Sequence, residues 1–227
     1  MKDLAGKTKD PAKVSHKARL RAIELKRAEV ELRSAEADLR LDTLRLEEAE
    51  RNYRWKANVD QEHGVFNLDT QVGMKTLELA STIRQWARLN PGHPVTLNIF
   101  SPGGSVFHGI SLYDTLRSLS TQGHVITTRV VGYAASMGSL LALAGDVRIA
   151  TGESMLMFHK LSAGTGGSLY EMEDDVAFYK RLNDRLAGIV VSRTDITREV
   201  LDRKWDRTDW WLTPKEAKKL GVIHEID

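Results

Sequence analysis

The sequence predicts an α/β fold, with a mainly parallel sheet packed against helices, and a long helical extension at its N-terminal end. Strand-like and helix-like patterns alternate after residue 56, at lengths typical of such folds. Residues 14–56, by contrast, contain no Gly or Pro and are rich in Ala, Leu, Glu and Arg, which favour helices. With 227 residues, 41% of them hydrophobic and 28% charged, the chain is long enough for one such domain and an extension.

The composition excludes several kinds of site before any motif is considered. The chain contains no Cys, which rules out disulfides, zinc sites built on cysteine and a thiol nucleophile. Covalent catalysis would therefore use oxygen or nitrogen. No apolar run reaches about 18 residues, and the first residues lack the apolar segment of a secretory signal. We therefore expect a cytoplasmic protein with no contact to a membrane.

Residues 1–13 are predicted to be a flexible basic tail. Residues 1–21 contain seven Lys and Arg against two Asp, a net charge of +5, so the overall +2 leaves −3 for the remainder. Basic tails can bind nucleic acid or acidic partners. This one has no aromatic residue to stack on bases and no second basic patch beside it. We do not expect nucleic-acid binding.

Residues 14–56 are predicted to form one long, charged, amphipathic helix with two apolar rows. The first row repeats every seven residues, with Ala three positions further on, and is interrupted only by Asp42; it comprises Leu25, Leu32, Leu39, Leu46 and Tyr53 with Ala28, Ala35 and Ala49. The second row comprises Ile23, Val30, Ala37 and Leu44. Such spacing is typical of coiled coils, so we expect the helix to bind itself or a partner. The alternative is a solvated helix lying on its own domain.

Residues 57–227 are predicted to form one domain of alternating strands and helices. Strands are predicted at residues 64–68, 95–100, 124–131, 147–150 and 155–158. Helices are predicted at residues 74–89, 110–119, 136–144, 169–192, 197–203 and 214–220. This alternation favours a mainly parallel sheet with helices packed outside it, and the helix at residues 169–192 is long enough to protrude.

A serine at a predicted strand-to-helix junction is the first candidate for chemistry. In residues 132–139 a strand ends in small residues and turns directly into an apolar helix, which puts Ser136 near the helix N-terminus. Free amides and the positive end of the helix dipole stabilise an alkoxide or oxyanion there. The segment is not a Gly-x-Ser-x-Gly motif, because position 134 is Ala. A serine that only caps a helix is the alternative.

Two further segments are candidates for the same site as this serine. Gly103 and Gly104 follow a predicted parallel strand, where α/β sheets form ligand crevices and paired glycines let another chain approach closely. They do not form a phosphate loop, because no Gly-Lys-Ser/Thr follows. His159 ends the apolar strand at residues 155–158 and is the best placed of the seven His to act as a base. An ordinary hydrogen-bonded His is the alternative.

Three motifs, taken in order, resemble the proteolytic subunit of the Clp protease (ClpP), a family of serine peptidases with the crotonase-type fold. They are Pro102-Gly103-Gly104, then Gly132-x-Ala134-Ala135-Ser136-Met137-Gly138, then Met157-Phe158-His159. The resemblance extends from about residue 64 to the C-terminus and includes residues 112–115 and 212–221. It implies a ClpP/crotonase-type fold with repeated β-β-α units.

The resemblance also implies roles for individual residues. Ser136 corresponds to the nucleophile and His159 to the general base. The family's triad aspartate precedes an aromatic residue, a Leu and a Ser or Thr, which matches Asp209 in Asp209-Trp210-Trp211-Leu212-Thr213. Asp202 and Asp206 lie nearby, and a one-turn alignment error would select Asp206.

The implied oxyanion hole is formed by the backbone amides of Gly104 and Met137. The implied assembly is a heptameric ring or double ring that encloses unfolded polypeptide or peptide substrates. The helix at residues 169–192 would then form the handle through which two rings stack. No metal or organic cofactor is expected.

The N-terminal region departs from the family, whose members begin with a short segment that meets a hexameric AAA+ ATPase. The basic tail and long helix put that partnership in doubt. Similar enzymes with altered ends act as head-maturation proteases of bacteriophages, and a coiled coil suits docking on a scaffold or capsid protein. This setting, in the cytoplasm of an infected host, is our preferred expectation. The alternatives are a degradative protease in a bacterial cytoplasm, a non-catalytic assembly protein, and an acyl-CoA enzyme of the crotonase fold.

Overall fold

The computed structural model describes the backbone of residues 16–227 and the side-chain surroundings of residues 18–49 and 60–227. The basic tail predicted for residues 1–13 lies outside the described residues. The chain divides into two units, residues 1–57 and residues 58–227.

Helix α1 spans His16–Glu62 and continues six residues beyond the predicted end at residue 56. All side chains of residues 18–49 are exposed. Two exposed ion pairs along its surface, Arg33–Glu29 at 3.0 Å and Arg45–Asp42 at 3.3 Å, each join positions one turn apart. Such pairs add about 0.2–0.5 kcal/mol each to a helix. None of the helices in the described residues combines the length and apolar composition of a membrane span.

The second unit alternates strands and helices, as predicted. Its strands are β1 (Val65–Leu68), β2 (Val95–Ser101), β3 (Ile126–Ala135), β4 (Val147–Ala150), β5 (Met155–Phe158), β6 (Trp210–Leu212) and β7 (Glu225–Ile226). Its helices are α2 (Met74–Leu89), α3 (Val106–Thr121), α4 (Met137–Ala142), α5 (Leu169–Arg193), α6 (Arg198–Lys204) and α7 (Pro214–Lys219). Strands β6 and β7 were not predicted, because two or three residues are too few to show a period of two.

The strands form one sheet in the order β1-β2-β3-β4-β7, with parallel pairing throughout this path. The prediction of an α/β fold with a mainly parallel sheet is therefore confirmed. Strand β3 is long enough to have two partners on one side. Its residues 127–130 pair with β4, and its residues 133–135 pair with β5. Strand β6 then pairs with β5 in the antiparallel direction.

The core lies between the sheet and the helices packed on it. Along β2 the buried positions alternate, and Val95, Leu97 and Ile99 are completely buried. Helix α2 buries Ala80 and Ile83 on one face. Burying a side chain of the size of Ile or Leu contributes roughly 1.5–3 kcal/mol. This packing holds the C-terminal ends of β2 and β3 side by side, where the sequence motifs converge.

Candidate active site

Ser136 occupies a strained turn between the end of β3 and the start of α4. Its backbone has φ 55° and ψ −121°, and among the described residues only Arg207 is another non-Gly residue with positive φ. Such a conformation costs about 1–3 kcal/mol and persists only where the surroundings enforce it. The Ser136 N–H donates to the carbonyl of Met157 at 2.8 Å, and the Ser136 carbonyl accepts from the Leu140 N–H at 3.2 Å. Helix α4 and strand β5 thus hold the turn from both sides.

Ser139 ties the same turn to the strand that carries His159. Its side chain is completely buried in the first turn of α4. Its hydroxyl donates to the Ala134 carbonyl at 2.7 Å and accepts from the Met157 N–H at 3.1 Å. No sequence motif predicted a role for Ser139, although a small polar residue within an apolar helix was the available signal.

His159 follows β5 directly, and its imidazole reaches Ser136. The His159 Nε2 and the Ser136 Oγ are 2.7 Å apart, within hydrogen-bonding distance, and both residues are half-buried. When Nδ1 carries the ring proton, the serine hydroxyl donates to Nε2. The segment after His159 is held by α5, because the Leu161 N–H donates to Asn183 Oδ1 at 2.9 Å. The structure therefore brings together the first two predicted site residues.

Asp209 directly precedes β6, the strand that pairs with β5. The antiparallel register ends at the pair of Phe158 with Trp210, so His159 and Asp209 are the residues next to the last pair on each side. Asp209 is exposed, and within residues 60–227 no hydrogen bond joins its carboxylate to the His159 ring. The structure thus brings Asp209 to the start of the neighbouring strand β6, without a hydrogen bond to the His159 ring.

The other two candidate aspartates are engaged elsewhere. Asp206 accepts a hydrogen bond from the Lys160 ammonium at 2.6 Å, and this contact lowers the pKa of the exposed Asp206 carboxyl. Asp202 binds the guanidinium of Arg198 at 2.8 Å. Neither carboxylate contacts the His159 ring in the described part of the chain.

The two backbone amides of the expected oxyanion hole border the same cleft as Ser136. Met137 begins α4, so its N–H has no acceptor within the helix. Gly104 has φ 142°, a conformation that side chains rarely adopt. At the neighbouring Gly103, a Cβ would lie 2.7 Å from the Ser136 Cβ and 2.9 Å from the Met137 N. A side chain at position 103 would therefore obstruct both the serine and the Met137 amide.

The cleft beside Ser136 has a volume of about 340 Å³ and is mostly apolar. Its apolar lining includes Val106, Leu140, Leu161, Leu186 and Trp205. A cleft of this kind suits an extended peptide whose side chain inserts next to the serine. In residues 60–227 no group of three His, Asp or Glu side chains is arranged to hold a metal ion.

The C-terminal end of α4 is held by two arginines from neighbouring helices. Arg193 of α5 donates to the carbonyls of Leu143 and Gly145, at 3.0 and 2.7 Å. Arg117 of α3 donates to the Ala144 carbonyl at 3.0 Å and pairs with Asp146 at 2.6 Å. Cations favour the negative end of a helix dipole. The short helix that follows Ser136 is thus anchored at both ends.

Asp146 is also bound to the start of β3. Its carboxylate accepts from the Ile126 N–H at 3.0 Å and from the Ser120 hydroxyl at 2.9 Å. Burial by itself would raise the pKa of Asp146, but the hydrogen bonds from Arg117, Ile126 and Ser120 outweigh it and lower the pKa. The ionised carboxylate therefore stabilises the region where β3 begins.

Comparison with known proteins gives consistent matches to one family. Residues 47–227 match the Clp protease family. A relative from Deinococcus radiodurans, named ATP-dependent Clp protease proteolytic subunit, is 37% identical over 139 residues, covering 60% of this chain and 66% of that protein. Subunit 3 from Streptomyces coelicolor is 34% identical over 142 residues, covering 60% of this chain and 62% of the relative.

A third relative, proteolytic subunit 1 from Chlamydia abortus, is 36% identical over 143 residues, which cover 60% of this chain and 71% of that protein. The chain thus spans about two thirds of the length of these curated relatives. The match to the family includes β1–β7 together with the Ser136–His159 contact and the glycine turn beside it. On this match and the fold that carries it, the chain belongs to the Clp protease family.

Proposed function

We propose that this chain is a serine peptidase that hydrolyses peptide bonds with Ser136 as nucleophile and His159 as general base. The observation that carries the proposal is the 2.7 Å contact between Ser136 Oγ and His159 Nε2, at a strained strand-to-helix turn beside an open cleft. A serine hydroxyl is a weak nucleophile until an adjacent base takes its proton. The turn presents the hydroxyl to the cleft and the imidazole together.

The reaction follows from the positions of these groups. His159 accepts the Ser136 proton at Nε2 as Oγ attacks the scissile carbonyl carbon. The negative charge that develops on the carbonyl oxygen is stabilised by the N–H groups of Met137 and Gly104, each worth about 10²–10³ in rate. The imidazolium then protonates the leaving amine, which leaves an acyl-serine. Water, deprotonated by His159, hydrolyses that ester and restores Ser136.

The third member of the triad is Asp209 in this proposal. An aspartate that accepts from Nδ1–H holds the ring in the required tautomer and stabilises the imidazolium. The strand register supports Asp209, because the last pair of the β5–β6 ladder, Phe158 with Trp210, is adjacent in sequence to both His159 and Asp209. Asp206 is a poorer candidate, because its carboxylate already binds Lys160. The contact between the Asp209 carboxylate and the His159 ring is proposed to close when substrate or a neighbouring subunit shifts the segment before β6.

The proposed assembly is a heptameric ring, single or double, whose chamber receives unfolded polypeptide. The names of the relatives describe proteolytic subunits of an ATP-dependent protease, which supports a multi-subunit enzyme. In the cytoplasm of a phage-infected host, the chain would cut a scaffold or capsid protein on which α1 docks. The exposed apolar rows of α1 support this setting. The relatives' names favour the second candidate, a bacterial degradative enzyme that works with an AAA+ unfoldase.

Labelling with a fluorophosphonate, followed by mass spectrometry, tests the chemistry. We expect one adduct, on Ser136. We expect Ser136→Ala to lower the rate of peptide hydrolysis by about 10⁶-fold while the number of subunits in the native assembly stays unchanged. An adduct on another residue, or more than a small fraction of the activity in Ser136→Ala, would refute the assignment of Ser136 as the nucleophile. No adduct at all would favour a non-catalytic assembly protein. Protein hydrolysis measured with an added unfoldase, or with a candidate scaffold protein as substrate, then distinguishes the bacterial degradative enzyme from the phage protease.

A further inference from the structure

Helix α1 carries two apolar faces that are both exposed in residues 18–49. The Leu face consists of Leu25, Leu32, Leu39 and Leu46, with Ala28, Ala35 and Ala49 beside them. The Ile/Val face consists of Leu20, Ile23, Val30, Ala37, Leu41 and Leu44. Because an α-helix turns by about 100° per residue, positions two apart, such as 23 and 25, point roughly 160° away from each other. The large side chains on both faces are 48–71% exposed, and apolar surface of this extent marks an interaction site.

The Leu face has acidic residues along both borders. Glu24, Glu31 and Asp38 each precede a leucine of this face, and Glu29 and Glu36 follow two of the leucines by one turn. If two identical helices packed through this face, carboxylates would meet carboxylates along residues 24–38 in either orientation. Like charges at these positions oppose pairing. The Leu face is therefore unsuited to a second copy of itself.

The Ile/Val face has one basic border and one acidic border. The basic border is formed by Arg19, Lys26, Arg33 and Arg40, each four residues before a member of the face. The acidic border is formed by Glu24, Glu31 and Asp38, and the next position along it is the basic Arg45. The first three basic residues therefore have an acidic residue five positions further on, which is the spacing of interhelical ion pairs in a parallel coiled coil. Arg40 has Arg45 at this spacing, so the complementary part of the face ends near residue 38.

We propose that α1 pairs in parallel and in register with α1 of a second copy of this chain through the Ile/Val face. In a ring of seven copies, three such pairs form and one α1 is left over. Three ion pairs, each formed twice by symmetry, would flank the contact: Arg19 with Glu24, Lys26 with Glu31, and Arg33 with Asp38. An antiparallel pair would instead bring each border against its own charge. Arg27 and Ser34 lie within the face and weaken its core, but polar residues at such positions fix the register. The Leu face remains available for a different protein.

Disulfide formation in the full chain tests this pairing. The sequence contains no Cys, so an introduced Cys is the single thiol in each chain. Ser34→Cys puts a thiol on the Ile/Val face, and the matched control Ala35→Cys puts one on the Leu face one residue away. In a parallel, in-register pair the two copies of residue 34 face each other at the centre of the contact. Under mild oxidation we expect Ser34→Cys to form covalent dimers about tenfold faster than Ala35→Cys, since pairing raises the thiols' effective concentration.

Exchanging the charges of one proposed ion pair, Lys26 with Glu31, tests whether these ion pairs stabilise the contact between the two helices. In the Ser34→Cys background, Lys26→Glu or Glu31→Lys alone should slow cross-linking about threefold to tenfold, and the two together should restore it. Circular dichroism and peptide hydrolysis of the reduced proteins show that helix and active site are intact. Equal or faster cross-linking of Ala35→Cys, no cross-linking of Ser34→Cys, or no recovery in the double exchange would overturn the proposal. None of these outcomes bears on Ser136, so the proposed peptidase activity is judged separately.

Discussion

Every side chain of α1 between residues 18 and 49 is exposed, whereas the strands of the 58–227 unit bury Val95, Leu97 and Ile99 completely. The helix follows from local properties, which are high helix propensity, an absence of Gly and Pro, and ion pairs one turn apart. The site in the other unit depends on residues far apart in sequence, such as Ser136 and His159. The proposed recognition surface on α1 and the proposed active site are thus built in different ways, and substitutions should affect them separately.

After Ser136→Ala, the largest loss of peptide hydrolysis with α1 unchanged is expected when the proposed third triad member is removed. We expect Asp209→Ala to lower kcat for a small peptide by about 10⁴-fold, because the imidazolium loses its partner. Asp206→Ala is the matched control, since it removes only an exposed contact with Lys160. Steady-state kinetics of both variants decide the assignment. A larger loss in Asp206→Ala than in Asp209→Ala would transfer the role to Asp206.

Ser139→Ala should lower kcat less than Asp209→Ala does, and it should also lower the free energy of unfolding. It leaves the Ala134 carbonyl and the Met157 N–H without the buried hydroxyl that joins them, at a cost of about 1–3 kcal/mol in the free energy of unfolding. We also expect a lower kcat at nearly unchanged KM, since the strand before His159 loses its tie to the Ser136 turn. Denaturant unfolding and kinetics measure the two effects.

The exposed serine on α3 provides the control for this substitution. Ser118→Ala removes an exposed hydroxyl that accepts a hydrogen bond from Gln122, the residue directly after α3, and the expected change is within about 0.5 kcal/mol. If Ser139→Ala destabilised the protein yet left kcat at the wild-type value, Ser139 would have no positioning role.

Asp146→Asn should lower stability in a pH-dependent way. The folded protein lowers the pKa of Asp146, so its ionised form stabilises the fold at neutral pH, and we expect a loss of about 1–2 kcal/mol. This contribution is fully present above the ordinary Asp value of about 3.9 and disappears as the pH falls through the lower folded pKa. Urea unfolding at several pH values should show the two proteins converging in acid. A difference that grows below pH 4 would contradict this account.

The smallest effect on chemistry is expected from changes on the Leu face of α1. Leu32→Asp combined with Leu39→Asp replaces side chains that are 61% and 71% exposed, so small-peptide hydrolysis should stay near the wild-type rate. Binding of a partner would lose roughly 1.5–3 kcal/mol for each leucine, and processing of a large natural substrate should fall. Turnover of peptide and protein substrates by the same variant measures both. Joint loss of both activities with a lower Tm would mean that the face belongs to a core.

Much of this protein was predictable from its sequence, because the relevant signals are local. A heptad repeat without Gly or Pro defines α1, and apolar runs bounded by turn residues define most strands of the parallel sheet. The glycine pair, Ser136 and His159 were indicated by their resemblance, in order along the chain, to the motifs of the Clp family. The signals for α1 and for the strands rest instead on near neighbours, where sequence spacing translates directly into position.

Only the tertiary structure decided how distant segments meet. Strand β3 pairs with both β4 and β5, and this branching puts His159 within reach of Ser136, a relation that no local pattern encodes. The arrival of Asp209 next to the strand that precedes His159 depends on β6, a three-residue strand that pairs with β5. The two contacts of Ser139 depend on its burial between a strand and a turn. Backbone pairing and burial are properties of the folded chain, because they require partners that sequence separation does not specify.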